Sequence, residues 1–192
     1  MYELPVEVNV EGNLYHIRND GDYRVVLDCF SILDDVDLEN EERMLTALFV
    51  FYDVDSLEEL LACPDIAKLT SEMYNFFSGG REESDKSNNH KLIDWDKDSA
   101  MIFSAINNVA GNEVREKEYL HWWTFMGYYN AIGESTLSTV VSIREKIVKG
   151  KSLEKWERQY RSENPHLFRW NSKTMSEMEA EKLVLEMWNS KE

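Results

Sequence analysis

The sequence predicts a mainly α-helical fold, a helical bundle with a short N-terminal β-hairpin. Three observations carry that prediction. Apolar residues alternate over 4–17, with Leu4, Val6, Val8 and Val10 before a Glu11-Gly12-Asn13 break and Leu14, Tyr15 and Ile17 around the far side. From Tyr23 onward the apolar spacing changes to three and four residues, the repeat of an amphipathic helix. A dense aromatic run, Tyr119 to Tyr129, then sits in the second half of the chain.

The alternating stretch reads as two short strands joined by a turn, with Gly12 or Asn13 taking a positive φ. A lone hairpin is marginal in water, so it must pack on the helices or pair with another edge. Val26, Leu27, Phe30 and Leu33 place the first helix from Tyr23, and the Asp34-Asp35-Val36-Asp37 cluster ends it. Glu39 to Tyr52 reads as the second. Ser56-Leu57-Glu58-Glu59 has the capping-box form and opens a short helix. Pro64 suits the first turn of the next, which runs to about Phe77.

Residues 78–90 contain no aliphatic or aromatic side chain. Such a stretch buries too little apolar area to offset its ordering entropy. We therefore expect a linker or loop over 79–92, between an acidic segment (1–78) and an aromatic-rich helical core (93–163) that packs with it as one domain. Asp94-Trp95-Asp96-Lys97-Asp98 leads a helix through Ile102, Phe103, Ile106 and Val109, with Gly111 as its C-cap. Glu116 to Ala131 is apolar on almost every side, which predicts a buried central helix. Ser135 caps a helix from Thr136 to Val148. Ser152 caps another, through Trp156 and Tyr160, which Pro165 stops. Residues 164–192 read as an irregular connector and a C-terminal helix opened by Thr174-Met175-Ser176-Glu177.

The apolar share of 43% suits a packed core. No run approaches the roughly 18 apolar residues of a membrane span. The first residues lack a basic and apolar leader, so the sequence predicts a soluble protein of the cytoplasm. Cys29 and Cys63 lie in apolar contexts and read as reduced, buried thiols. The net charge is -16. Residues 1–110 hold 24 acidic and 8 basic side chains, and residues 111–192 hold 13 of each, so the whole excess lies in the first part. That field repels phosphate backbones and disfavours nucleic-acid binding there.

Chemistry is thinly represented. His16, His90, His121 and His166 are scattered, and no zinc-ligand spacing occurs. His121 reads as a satisfied core or boundary histidine. Asp94, Asp96 and Asp98 alternate like the start of a calcium loop. Counting Asp94 as one, Ser99 and Ala105 stand where that loop needs Gly and Glu, so a solvated helix N-terminus is expected instead. Gly79-Gly80 lacks the Lys-Ser/Thr of a phosphate loop, and no nucleophile elbow is present. We expect no enzyme, no cofactor and no metal.

What remains is surface. Leu167, Phe168 and Trp170 in the connector, with Met178, Met187 and Trp188 in the last helix, are the candidate protein-binding residues, because methionine adapts and aromatics dominate interfaces. They either fold back on the core or form a docking element.

Several segments together resemble a family of small proteins from long-tailed phages and prophages of Gram-positive bacteria. They are Tyr23-Arg24-Val25-Val26-Leu27, Asp94-Trp95-Asp96-Lys97-Asp98 with the acidic loop before it, Trp122-Trp123-Thr124-Phe125-Met126-Gly127-Tyr128-Tyr129, Ile143-Arg144 and Lys149-Gly150-Lys151. The resemblance covers roughly residues 1–160. It implies a tail assembly chaperone, encoded next to the tape-measure protein and keeping that long helical chain soluble in the host cytoplasm. The implied partners are the tape-measure protein and other tail proteins, with no nucleic acid and no membrane. Two other roles stay open: a structural component of the tail or head–tail junction retained in the virion, and an acidic DNA mimic that inhibits a host protein. We also expect homo-oligomers formed through the region after residue 111, which has no net charge and holds Trp122, Trp123, Trp156, Trp170 and Trp188.

Overall fold

A computed structural model describes residues 3–80 and 92–170. Those residues form a short antiparallel hairpin and eight α-helices, and divide into two compact units. The first comprises 3–80 and 118–126, and the second 92–117 and 127–170. The segment 118–126 therefore groups with the N-terminal residues rather than with the sequence that flanks it.

In the first unit, β1 (Glu7–Val10) pairs with β2 (Asn13–His16) in the register Val10 to Asn13 and Val8 to Tyr15. The two turn residues are Glu11 and Gly12, both at positive φ (51° and 87°), the signature of a type I′ turn. Glycine supplies one positive φ as expected. Asn13 does not supply the other, and instead starts β2. The hairpin does not stand alone. Ile17 bridges to Tyr52, and the Asp53 amide donates to the His16 carbonyl.

The helices of this unit are α1 (Tyr23–Leu33), α2 (Asn40–Phe51), α3 (Leu57–Leu61) and α4 (Ile66–Phe77). Each has an identifiable start. Asp22 accepts the Arg24 amide, and Asp65 accepts that of Lys68. Glu39 and Glu42 form a reciprocal box before α2. At α3 the Ser56 hydroxyl accepts the Glu59 amide, while the Glu59 carboxylate reaches the Asp55 amide instead of that of Ser56. After α4, the Gly79 amide donates to Phe76 O and the Gly80 amide to Asn75 O, a Schellman end with Gly79 at φ 74°. The core joins Val26, Cys29, Leu48, Phe51, Tyr52, Leu69 and Met73, all fully buried, with the rings of Phe51, Phe76 and Phe77 in edge-on contact.

The second unit contains α5 (Ser99–Ala110), the last four residues of α6 (Trp122–Asn130), α7 (Thr136–Val148) and α8 (Lys155–Glu163). Gly111 is the left-handed C-cap of α5, as the sequence suggests. Ser135 caps α7. Ser152 does not cap α8: Glu154 does, with Glu157 as its reciprocal partner.

The central helix is shorter and wetter than its sequence implies. It starts at Trp122, after a 3-10 turn (Val114–Glu116) and an extended stretch. Only Trp122 and Phe125 within it are fully buried, while Tyr119 is 47% exposed. The aromatic run is too continuous for one helix face, and its other rings sit half-exposed at the surface. The loop over 79–92 lies outside the described residues, apart from 79, 80 and 92, and so does the C-terminal helix.

Candidate protein-binding site

Three of the candidate binding residues are described: Leu167, Phe168 and Trp170. Pro165 ends α8 and opens a 3-10 turn, Pro165–Phe168, because a proline has no amide to continue the helix. A single buried cation holds this turn. Arg144 on α7 is 1% exposed, and all five of its N–H groups are used. Nε and Nη2 donate to the Leu167 carbonyl at 3.0 and 2.5 Å. Nη1 donates to the Leu92 carbonyl at 2.9 Å. Nη1 and Nη2 together grip the Asp98 carboxylate at 2.5 and 2.9 Å. The Trp170 ring covers the guanidinium at 4.8 Å.

Asp98 is itself 2% exposed and also accepts the Asp94 amide. The Asp-x-Asp-x-Asp stretch is therefore not a solvated helix N-terminus. Asp94 is buried too, accepting the Lys97 amide and pairing with its ammonium. A buried carboxylate needs a partner charge, and Arg144, forty-six residues on, supplies it. Among the described residues no group of three His, Cys, Asp or Glu could hold a metal ion.

Leu167, Phe168 and Trp170 are half-buried. Leu167 contributes its carbonyl to the clamp, Phe168 meets Tyr160 edge-on at 6.4 Å, and Trp170 stacks on Arg144. Met178, Met187 and Trp188 lie outside the described residues. A second buried charge pins α8: Glu157, 1% exposed, accepts from Lys146 on α7 at 2.6 Å and from its own N-cap amide. The Lys146 ammonium holds the Glu157 carboxyl below its usual range.

In the first unit the segment 118–126 is fastened by polar bonds at both ends. Asp22 accepts the Leu120 amide, and Tyr23 donates to the Leu120 carbonyl. The Trp122 and Trp123 indoles donate to the last carbonyls of α4, Phe77 and Phe76, at 3.0 and 2.9 Å. His121 is fully buried. Its Nδ1 accepts the Trp123 amide, so Nε2 bears the proton and donates to the Pro5 carbonyl at 3.0 Å. Burial pushes the imidazole below its usual range, which keeps it neutral and makes it a structural group. Cys29 and Cys63 are free and buried, and burial raises the Cys29 thiol to about 12. Arg18 is a site the sequence reading missed. It donates to the Phe49, Val50 and Tyr52 carbonyls at the end of α2, where a cation also suits the helix dipole.

No helix among the described residues is long and apolar enough to cross a membrane. A family model described as Bacteriophage Gp15 protein matches residues 1–164. No curated protein and no solved structure matches the chain.

Proposed function

The chain belongs to the Bacteriophage Gp15 protein family, and on that footing we propose that it is a non-catalytic binding protein of phage tail assembly. Its partner is the tape-measure protein, which it keeps soluble in the host cytoplasm until the tail tube forms around it. The observation that carries this reading is the family match, which spans 164 of 192 residues and takes in the first unit and the second up to the end of α8. The charge distribution supports it. Eighteen acidic and four basic side chains over 3–80 give a strongly solvated surface, suited to holding an aggregation-prone partner in solution. The polar clusters support it as well. Asp98 and Arg144 spend their hydrogen bonds on backbone and on each other, Glu157 on backbone and Lys146, and His121 on backbone, in the manner of structural groups.

The docking residues in this reading are Leu167, Phe168, Trp170, Met178, Met187 and Trp188. Leu167 and Phe168 stand on a turn that Arg144 clamps through the Leu167 carbonyl, and Trp170, just beyond it, stacks on the same guanidinium; a turn so fastened lowers the ordering cost of binding. Co-expression with the tape-measure protein encoded by the same phage tests the proposal. The expected outcome is a soluble complex that co-purifies. A tape-measure protein that stays insoluble, with no complex formed, would sink it.

A further inference from the structure

α8 is held differently from the other helices. Each of the others among the described residues buries at least one apolar side chain, whereas α8 buries only the carboxylate of Glu157. Tyr160 is half-buried, and the rest of the helix is exposed. A helix without a buried apolar stripe gains little from packing, and nine residues are too few to be stable alone. Among the described residues its one side-chain hydrogen bond to another helix is the pair with Lys146 on α7. Glu157 Oε1 accepts from the Lys146 ammonium at 2.6 Å, and Oε2 accepts the Glu154 amide at 2.8 Å. The remaining polar ties are local: Trp156 to Glu154, Arg158 to the Leu153 carbonyl, and Gln159 to Glu163. The Lys146 side chain is 30% exposed, so water competes for its ammonium.

The chain on either side of α8 is fastened independently of it. Before it, α7 closes on itself: the Gly150 amide donates to Ile147 O and the Lys151 amide to Lys146 O, with Gly150 at φ 63°. Residues 151–154 then run without regular structure. After it, Arg144 holds the Pro165–Phe168 turn through the Leu167 carbonyl. The Tyr160 ring lies edge-on to Phe168 at 6.4 Å and shields one side of it. We infer that α8 is a strap, latched by Glu157 on Lys146, that opens as a unit between these two fixed points. Closed, it shields Phe168 with Tyr160. Open, it frees the Phe168 ring while Arg144 keeps Leu167 in place. That this ring is then offered to a partner rests on the docking role proposed above; the opening does not.

Amide hydrogen exchange on the purified full chain tests it. In the wild type, amides 158–163 of α8 should exchange faster than amides 140–147 of α7, because local opening costs less than unfolding the unit. Glu157→Gln removes the charge but can still accept the Glu154 amide. It should speed exchange over 158–163 by about tenfold, as expected for loss of a charge-assisted bond, and leave α5 and α7 unchanged. Lys146→Met strands the buried carboxylate and should speed it further. Fluorescence of the apolar dye anilinonaphthalene sulfonate should rise in Glu157→Gln and fall back when Phe168→Ala is added. Wild-type exchange as slow over 158–163 as over 140–147 would overturn the inference. So would variants that exchange like the wild type, acceleration that spreads through α5, or a dye signal indifferent to Phe168. Failure to capture the tape-measure protein would leave all of these readouts intact, so the strap and the proposed function fail separately.

Discussion

The two units close their interiors by different means. The first is sealed by apolar and aromatic side chains. Its polar groups act mainly at element ends, where Asp22, Arg18 and the two indoles satisfy helix-terminal backbone. The second buries one ionic pair in its interior, Asp98 with Arg144, and at its edge pairs the buried Glu157 with the part-exposed Lys146, and it uses them to hold a turn and a helix. The contrast teaches something about tolerance. An apolar core loses contacts in proportion to the volume removed. An ionic core loses little when both partners become apolar, and a great deal when one charge is left alone.

Breaking each core separately exposes that difference. Trp122→Ala should destabilise the chain by about 3–5 kcal/mol, because it removes a fully buried ring and its hydrogen bond to Phe77. Chemical denaturation would read the loss, and no single second substitution should restore it. Asp98→Leu alone should cost a comparable 3–5 kcal/mol, since Arg144 is left charged and buried. Combining Asp98→Leu with Arg144→Met should recover part of that loss, since the uncompensated charge is gone while the Leu92 and Leu167 carbonyls still lose their donor. Additive effects of the two substitutions would erase the distinction between the units.

How much of this was legible in the sequence follows the same line. Helices α1, α4, α5 and α7 were legible from their apolar periods, with Ser135 read as the cap of α7 and Gly111 as the C-cap of α5, whereas the Asp22 and Asp65 caps emerge only from the structure, where Pro64 precedes the N-cap of α4 instead of standing in its first turn. The ionic core was not. Asp98 and Arg144 are forty-six residues apart, and each looks like a surface charge in its own segment. Both nonetheless stand in stretches that carried the family resemblance. The aromatic run misled in the opposite direction, since composition alone places every ring inside. Only Trp122 and Phe125 fit, because 117–120 is extended and presents Tyr119 outward. Of the candidate binding residues, the sequence located the connector but not the cation beneath it. Guanidinium and turn meet only through the fold.

pH sharpens the comparison. The folded imidazole of His121 is held below its ordinary value, so as pH falls from about 6.5 the unfolded chain takes up a proton first. Stability contributed by neutral His121 is therefore present above that range and is lost as pH drops through it. The added proton on Nδ1 would also face the Trp123 amide it now accepts. Urea midpoints at pH 7.5, 6.5 and 5.5 should fall in that order, and His121→Gln should flatten the trend. An unchanged slope in that variant would remove His121 as the cause. The smallest effect belongs to the exposed face of α8: Trp156→Ala should change stability by no more than about 0.5 kcal/mol, as expected for an exposed side chain.

The proposed role makes a demand that stability data do not reach: the chain must hold its partner before the tail is built and be gone afterwards. Quantitative mass spectrometry of infected cells and of purified virions measures this directly. The account predicts that affinity capture of the chain from lysates recovers the tape-measure protein, and that finished particles contain the tape-measure protein without this chain. Stoichiometric retention of the chain in purified virions, or capture that recovers no tape-measure protein, would contradict it.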